Sequence, residues 1–155
     1  MPASARIIIA DTSCLIALSK IDLLHIIQQL FETVSITPEV QKEYGANLPD
    51  WIIIQKVADF SLKAKLDKVL DSGEASSIAL ALEVSDSMVA LDESKGRKVA
   101  EAYNVPIIGT LAILLLGKEK GLLNTIKPYV TALVENGFRL SPKLIATILK
   151  AANEN

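Results

Sequence analysis

Two short apolar runs, each closed by an aspartate, constrain this chain more than any other feature. Arg6-Ile7-Ile8-Ile9-Ala10 is rich in β-branched residues and has no polar side, and Asp11 follows it; Met88-Val89-Ala90-Leu91 has the same character and ends at Asp92. A strand that is apolar on both faces has to be covered on both, which is the condition of the inner strands of a parallel sheet. Thr33–Ile36 and Val105–Ile108 read as further strands, and Trp51–Val57 as another short extended piece. Helical patterns fill the intervals. They start at Ser13, behind Asp22 as N-cap for Leu23, Ile26, Ile27 and Leu30, and at Thr37-Pro38 as N-cap and first helical proline toward Tyr44. Another runs from about Asp59 to Leu70. Ser72-Gly73-Glu74 opens a helix with Ala75, Ile78, Ala79 and Leu82 at helical spacing, and a polar helix spans Glu93 to Tyr103. Three more begin at Thr110, at Thr125 and at Ser141-Pro142, the last reaching about Ala152, with Gly137 as a C-terminal cap between the final two. Strands alternating with helices predict an α/β fold with a central parallel sheet covered by helices on both faces.

The 155 residues fit one domain over 1–155, and with half of them hydrophobic and 22% charged a sizeable core is available and global disorder is excluded. The longest nearly apolar run, Val105–Leu116, holds Pro106, Gly109 and Thr110 and falls short of the about 20 residues of a membrane span. Asp11 ends the first apolar run too early for a signal peptide. One cysteine and one histidine exclude a disulfide framework and Cys-rich or multi-histidine metal centres. The expectation is a cytoplasmic domain with no membrane association. A formal charge of −2 lacks the basic footprint usual in nucleic-acid binders.

In parallel α/β sheets the functional crevice lies beyond the carboxyl ends of the strands, where Asp11 and Asp92 fall. An isolated aspartate in that place is more often an Asx turn or a helix N-cap. Two together repel, and the simplest compensation is an oxygen-seeking cation, Mg²⁺ or Mn²⁺. Glu43 stands one turn beyond Glu39; the helix dipole accounts for Glu39 in the first turn but not for Glu43, for which a solvated face is the alternative. Glu74 has a competing role, because Asp71-Ser72-Gly73-Glu74 resembles a capping arrangement.

Ile9-Ala10-Asp11-Thr12-Ser13, Pro38-Glu39-Val40-Gln41-Lys42-Glu43, Ser72 to Ala81, Leu91-Asp92-Glu93-Ser94-Lys95-Gly96-Arg97-Lys98-Val99-Ala100, Gly109-Thr110-Leu111 and Lys118 to Leu122 come in an order that resembles PIN-domain proteins of the prokaryotic branch related to VapC-like toxins. The resemblance covers nearly the whole chain and rests on the ordered set, since each motif is short and degenerate. It implies a three-layer α/β/α sandwich and a four-acid cluster of Asp11, Glu43, Glu74 and Asp92 that binds one or two divalent ions. Thr12 and Ser13 match the small hydroxyl residues beside the first acid. Glu93 stands where relatives often have a second aspartate, Cys14 where proline is frequent, and Glu74 where many members have aspartate. The implied reaction is metal-dependent hydrolysis of an RNA phosphodiester to 5′-phosphate and 3′-hydroxyl ends, with a cognate antitoxin protein as partner.

Setting the four candidate carboxylates aside turns the formal charge of −2 into one of +2 for the rest of the chain. Lys95 and Arg97 are candidates for RNA phosphate contacts, with a solvated helix face as the alternative. Other chemistries fit worse. A Cys14–His25 thiol dyad on one helix would be separated by roughly 16 Å. The first strand lacks the Gly-x-Gly-x-x-Gly turn of a dinucleotide site, and Ser13 stands where a phosphoaspartate hydrolase needs a second acid. The serious rival is a catalytically silent scaffold that binds RNA or protein. The apolar stripes Leu114-Leu115-Leu116 and Leu144-Ile145-Ile148-Leu149 read as core, with a homodimer or an antitoxin groove as uses for any surplus.

Overall fold

The structure is a computed structural model that describes residues 5–155; Met1–Ser4, the start of the expected 1–155 domain, lie outside the described residues. Five strands form one sheet: β1 (Ile7–Ala10), β2 (Thr33–Ile36), β3 (Ile52–Ile54), β4 (Ser87–Ala90) and β5 (Ile107–Ile108). All pairings are parallel and the order is β3-β2-β1-β4-β5. Nine helices occupy the intervals among the described residues: α1 (Thr12–Lys20), α2 (His25–Leu30), α3 (Pro38–Tyr44), α4 (Phe60–Asp67), α5 (Ser72–Glu83), α6 (Ser94–Ala102), α7 (Thr110–Glu119), α8 (Lys127–Glu135) and α9 (Pro142–Ala151).

The lack of a polar side in β1 has the predicted result. Ile8 belongs to a buried apolar cluster with Leu15, Leu18, Leu114 and Val130 on one face of the sheet, and Ile9 to a second with Leu66, Ile78, Leu80 and Ala100 on the other. Both isoleucines are wholly buried, and each such side chain contributes about 1.5–3 kcal/mol. The fold is thus a three-layer α/β/α sandwich, with α1–α3 and α7–α9 supplying one outer layer and α4–α6 the other. No helix among the described residues is long and apolar enough to cross a membrane.

Caps decide most boundaries. Thr37 Oγ1 accepts from Val40 N (3.2 Å) ahead of Pro38, as its Thr-Pro signature predicts. Asp59 and Asp71 accept from Leu62 N and Glu74 N and start α4 and α5. Gly137, at φ +87, follows α8 and takes the left-handed position that ends it. Asp22 does not cap a helix. It stands at φ +57 in a turn closed by Leu23 N to Leu18 O (2.9 Å), and α2 begins only at His25 with no side-chain cap. The start of α8 is capped from the far end of the chain, because Glu154 accepts from Ile126 N and Lys127 N and pairs with Lys118.

Candidate metal centre

The order of strands reverses between β1, from which the chain runs outward to β2 and β3, and its other neighbour β4. Helices diverge at such a point and leave a crevice at the strand ends. Asp11 and Asp92 lie there, and the two strand ends are tied by Asp11 N to Ala90 O (3.1 Å). A cleft of about 490 Å³ opens beside Asp11, lined by Thr12, Ser13, Ile16, Glu43, Asp71, Glu74 and Glu93.

Asp11 occupies the N-cap position of α1, yet its carboxylate makes no capping hydrogen bond. Ser13 Oγ reaches Oδ2 at 3.4 Å, while Oδ1 is buried without any partner. Burial pushes the Asp11 carboxyl up to about 6; the Thr12 amide pulls it back, and Asp71 and Glu43 push it further. The N-cap reading is therefore set aside at this residue. Asp11 is left with an oxygen aimed at nothing the protein supplies.

Glu43 reaches the same spot from α3, with Oε1 accepting from Thr12 Oγ1 at 2.6 Å. The approach depends on Gly73, since a Cβ there would overlap Glu43 Oε1 and come within 3.3 Å of Asp11 Oδ1. Asp71 arrives from the start of α5, where Oδ1 accepts from Glu74 N at 2.9 Å. Asp11, Glu43 and Asp71 each place a carboxylate oxygen within 4.8 Å of the others. Three carboxylate oxygens at that spacing suit an oxygen-seeking divalent cation.

Glu74 is buried on the inner side of this group, and its Oε2 has no partner. Burial raises its carboxyl above the usual range, with Asp71 and Asp11 adding to the shift. It too relies on a glycine, because a Cβ at Gly96 would come within 2.8 Å of Glu74 Oε2. Glu93 lines the rim and caps α6 through Lys95 N (3.3 Å).

Asp92 is not brought into the triad. Its Oδ1 accepts from Thr110 N (2.8 Å) and its Oδ2 from Thr110 Oγ1 (2.5 Å), so both oxygens tie the end of β4 to the start of α7. Arg97 donates from Nη1 to Leu91 O at 3.2 Å, while Lys95 and Lys98 of the same helix are exposed. In the sequence Asp71 reads only as a cap. The signal it offered was its place three residues ahead of Glu74, and capping alone explained that spacing. The Cys14 thiol is wholly buried and is pushed up by burial and by Asp92 and Asp11, while His25 is exposed on α2, so no thiol dyad forms.

No curated protein and no solved structure matches the chain significantly. A family does. Residues 7–154 match the family model described as PIN domain, and the chain that carries this acid-lined crevice at the turning point of its sheet belongs to that family, whose members are in general nucleases.

Proposed function

We propose that this chain is a divalent-metal-dependent endoribonuclease of the VapC-like branch, hydrolysing RNA phosphodiesters as the toxin of a toxin–antitoxin pair, in the cytoplasm and as a homodimer. The observation that carries the reading is Asp11 Oδ1, buried and unpartnered beside the Glu43 and Asp71 carboxylates. Leaving a buried charged acceptor unmatched costs several kcal/mol, so such a group points to a ligand. Glu74 Oε2 adds a second orphan on the inner wall.

Asp11, Glu43 and Asp71 would hold the cation, Mg²⁺ or Mn²⁺, with Glu74 behind them. Bound there, the ion supplies Lewis-acid chemistry: it offsets charge on the scissile phosphate and makes water a competent nucleophile. Thr12 fixes the Glu43 carboxylate by its 2.6 Å hydrogen bond, and Ser13 steadies Asp11. Asp92 acts by holding the β4 end against Thr110, which fixes the wall that carries Glu93 and Lys95. Lys95, exposed two residues beyond Glu93 of the rim, would meet an RNA phosphate; Arg97, bonded to Leu91 O, would stiffen the same turn.

RNA cleavage with Mn²⁺ or Mg²⁺ tests the reading. Cleavage is expected with either ion, and Asp11→Asn is expected to lower it by at least about a hundred-fold, the order of a lost electrostatic contribution at a reacting centre. Activity that survives excess chelator or the Asp11→Asn change overturns the metal mechanism. Metal binding without cleavage of any RNA returns the chain to the silent-scaffold reading.

A further inference from the structure

We propose that β3 is a self-pairing edge, through which two copies of this chain join their sheets by antiparallel β3–β3 pairing about a two-fold axis at Ile53. The proposal rests on the homodimer reading above and assigns it a surface.

β3 ends the sheet and is hydrogen-bonded on one side only. Gln55 N donates inward to Ile36 O (2.8 Å), and the alternation of a strand then turns Ile53 inward as well and Ile52 and Ile54 outward. Ile52 N is taken by Pro49 O in the preceding turn. The outward groups left are Ile54 N–H and the carbonyls of Ile52 and Ile54. Natural sheets protect such an edge with a proline, a central lysine or a covering loop. Here the exposed centre of the strand is apolar on both faces, with Ile53 50% and Ile54 41% exposed.

The flanking charges select the occupant. Antiparallel pairing centred on Ile53 sets Ile52 opposite the partner's Ile54, Trp51 opposite the partner's Gln55, and Asp50 opposite the partner's Lys56. By symmetry each pair occurs twice. Ile54 N–H then meets the partner's Ile52 carbonyl across the axis, and vice versa, with the inward-facing Ile53 pair at the centre. Asp50 and Lys56 are both exposed, and neither has an ion-pair partner among the described residues. Asp50-Trp51-Ile52-Ile53-Ile54-Gln55-Lys56 is thus charge-complementary to its own reverse, a property that favours a second copy of this chain over an unrelated peptide. The two-fold axis would point the carboxyl ends of the two sheets in opposite directions. β3 is two strands away from β1, about 10 Å, so pairing leaves both crevices open.

Sedimentation equilibrium of the full chain tests the proposal through charge reversal. The unaltered chain is expected to be a dimer. Asp50→Lys or Lys56→Asp alone turns two attractive contacts into two repulsive ones, and each is expected to weaken dimerisation about ten-fold. The double variant Asp50→Lys/Lys56→Asp restores complementarity and is expected to recover most of the loss, which a merely structural effect of either change would not do. Both positions are exposed, so the variants are expected to melt like the parent. A dimer indifferent to the single reversals overturns this surface and leaves the homodimer reading standing. Single reversals that dissociate the dimer without rescue overturn the register, and a monomer at every concentration overturns both.

Discussion

Asp11 holds a charge where the surrounding protein disfavours one, and this couples stability to pH. Its carboxyl has an ordinary value of 3.8 in the unfolded chain and about 6 in the folded one. Between those values the folded state holds more protons than the unfolded state, so stability is greatest below the lower value and declines as pH rises through the higher one. Glu74 shifts in the same direction and extends the decline upward. For Asp11 the shift of about two units corresponds to roughly 3 kcal/mol. The metal-free chain should therefore melt at a lower temperature near pH 7 than near pH 5. Asp11→Asn should flatten much of that difference and raise the melting temperature at the higher pH. Parallel melting profiles for the two proteins would remove Asp11 as the source.

At the scale of elements, the cluster is a meeting of α3 with the first turn of α5 over the end of β1. Gly73 permits it: the residue is buried, and a Cβ there would occupy the space of the Glu43 carboxylate. Gly73→Ala should displace Glu43 and weaken Mn²⁺ binding by at least about ten-fold, the scale of disturbing a ligand's supports. The metal-free fold should keep its melting temperature or gain from the better helix former, by up to about 1 kcal/mol. Calorimetric titration and melting on the same variant separate the two effects, and unchanged affinity would show that the approach is unimportant. The same junction shows what is legible in a sequence. Thr37-Pro38 and Asp71-Ser72-Gly73-Glu74 announce helix starts because a cap spans three or four residues. Apolar runs such as Ile7–Ala10 announce inner strands by composition. Asp22 misled, because an αL turn and an N-cap favour the same residue type. Asp92 reads as a crevice acid, and nothing local reveals that Thr110, on a later helix, meets both its oxygens. Nothing local brings Asp71 beside Asp11 and Glu43 either, since those neighbours come from the end of β1 and from α3.

The whole molecule has an uneven charge map rather than a basic one. Its formal charge of −2 becomes +3 once the five acids that line the crevice, Asp11, Glu43, Asp71, Glu74 and Glu93, are set aside, so acid gathers at the crevice that receives a phosphate chain in the proposed reaction. RNA affinity should then depend on metal and on scattered lysines together. It should fall as salt rises, and Lys95→Gln should weaken binding across RNA sequences and reduce the slope of log affinity against log salt by about 0.7, the single-strand value for one lost phosphate contact. A filter-binding series over salt with both proteins measures this; equal slopes would make Lys95 a solvated bystander.

Asp71 belongs to two systems at once. One oxygen accepts the Glu74 amide and so begins α5, while the carboxylate as a whole contributes to the acidic triad. The helix it begins runs through the interior against Ile9, Leu66 and Val89. A cation held by this carboxylate would grip the backbone of α5 through one shared side chain. Filling the crevice and sealing the first turn of a core helix are then a single cooperative event, and the free energy of the one is felt as the rigidity of the other.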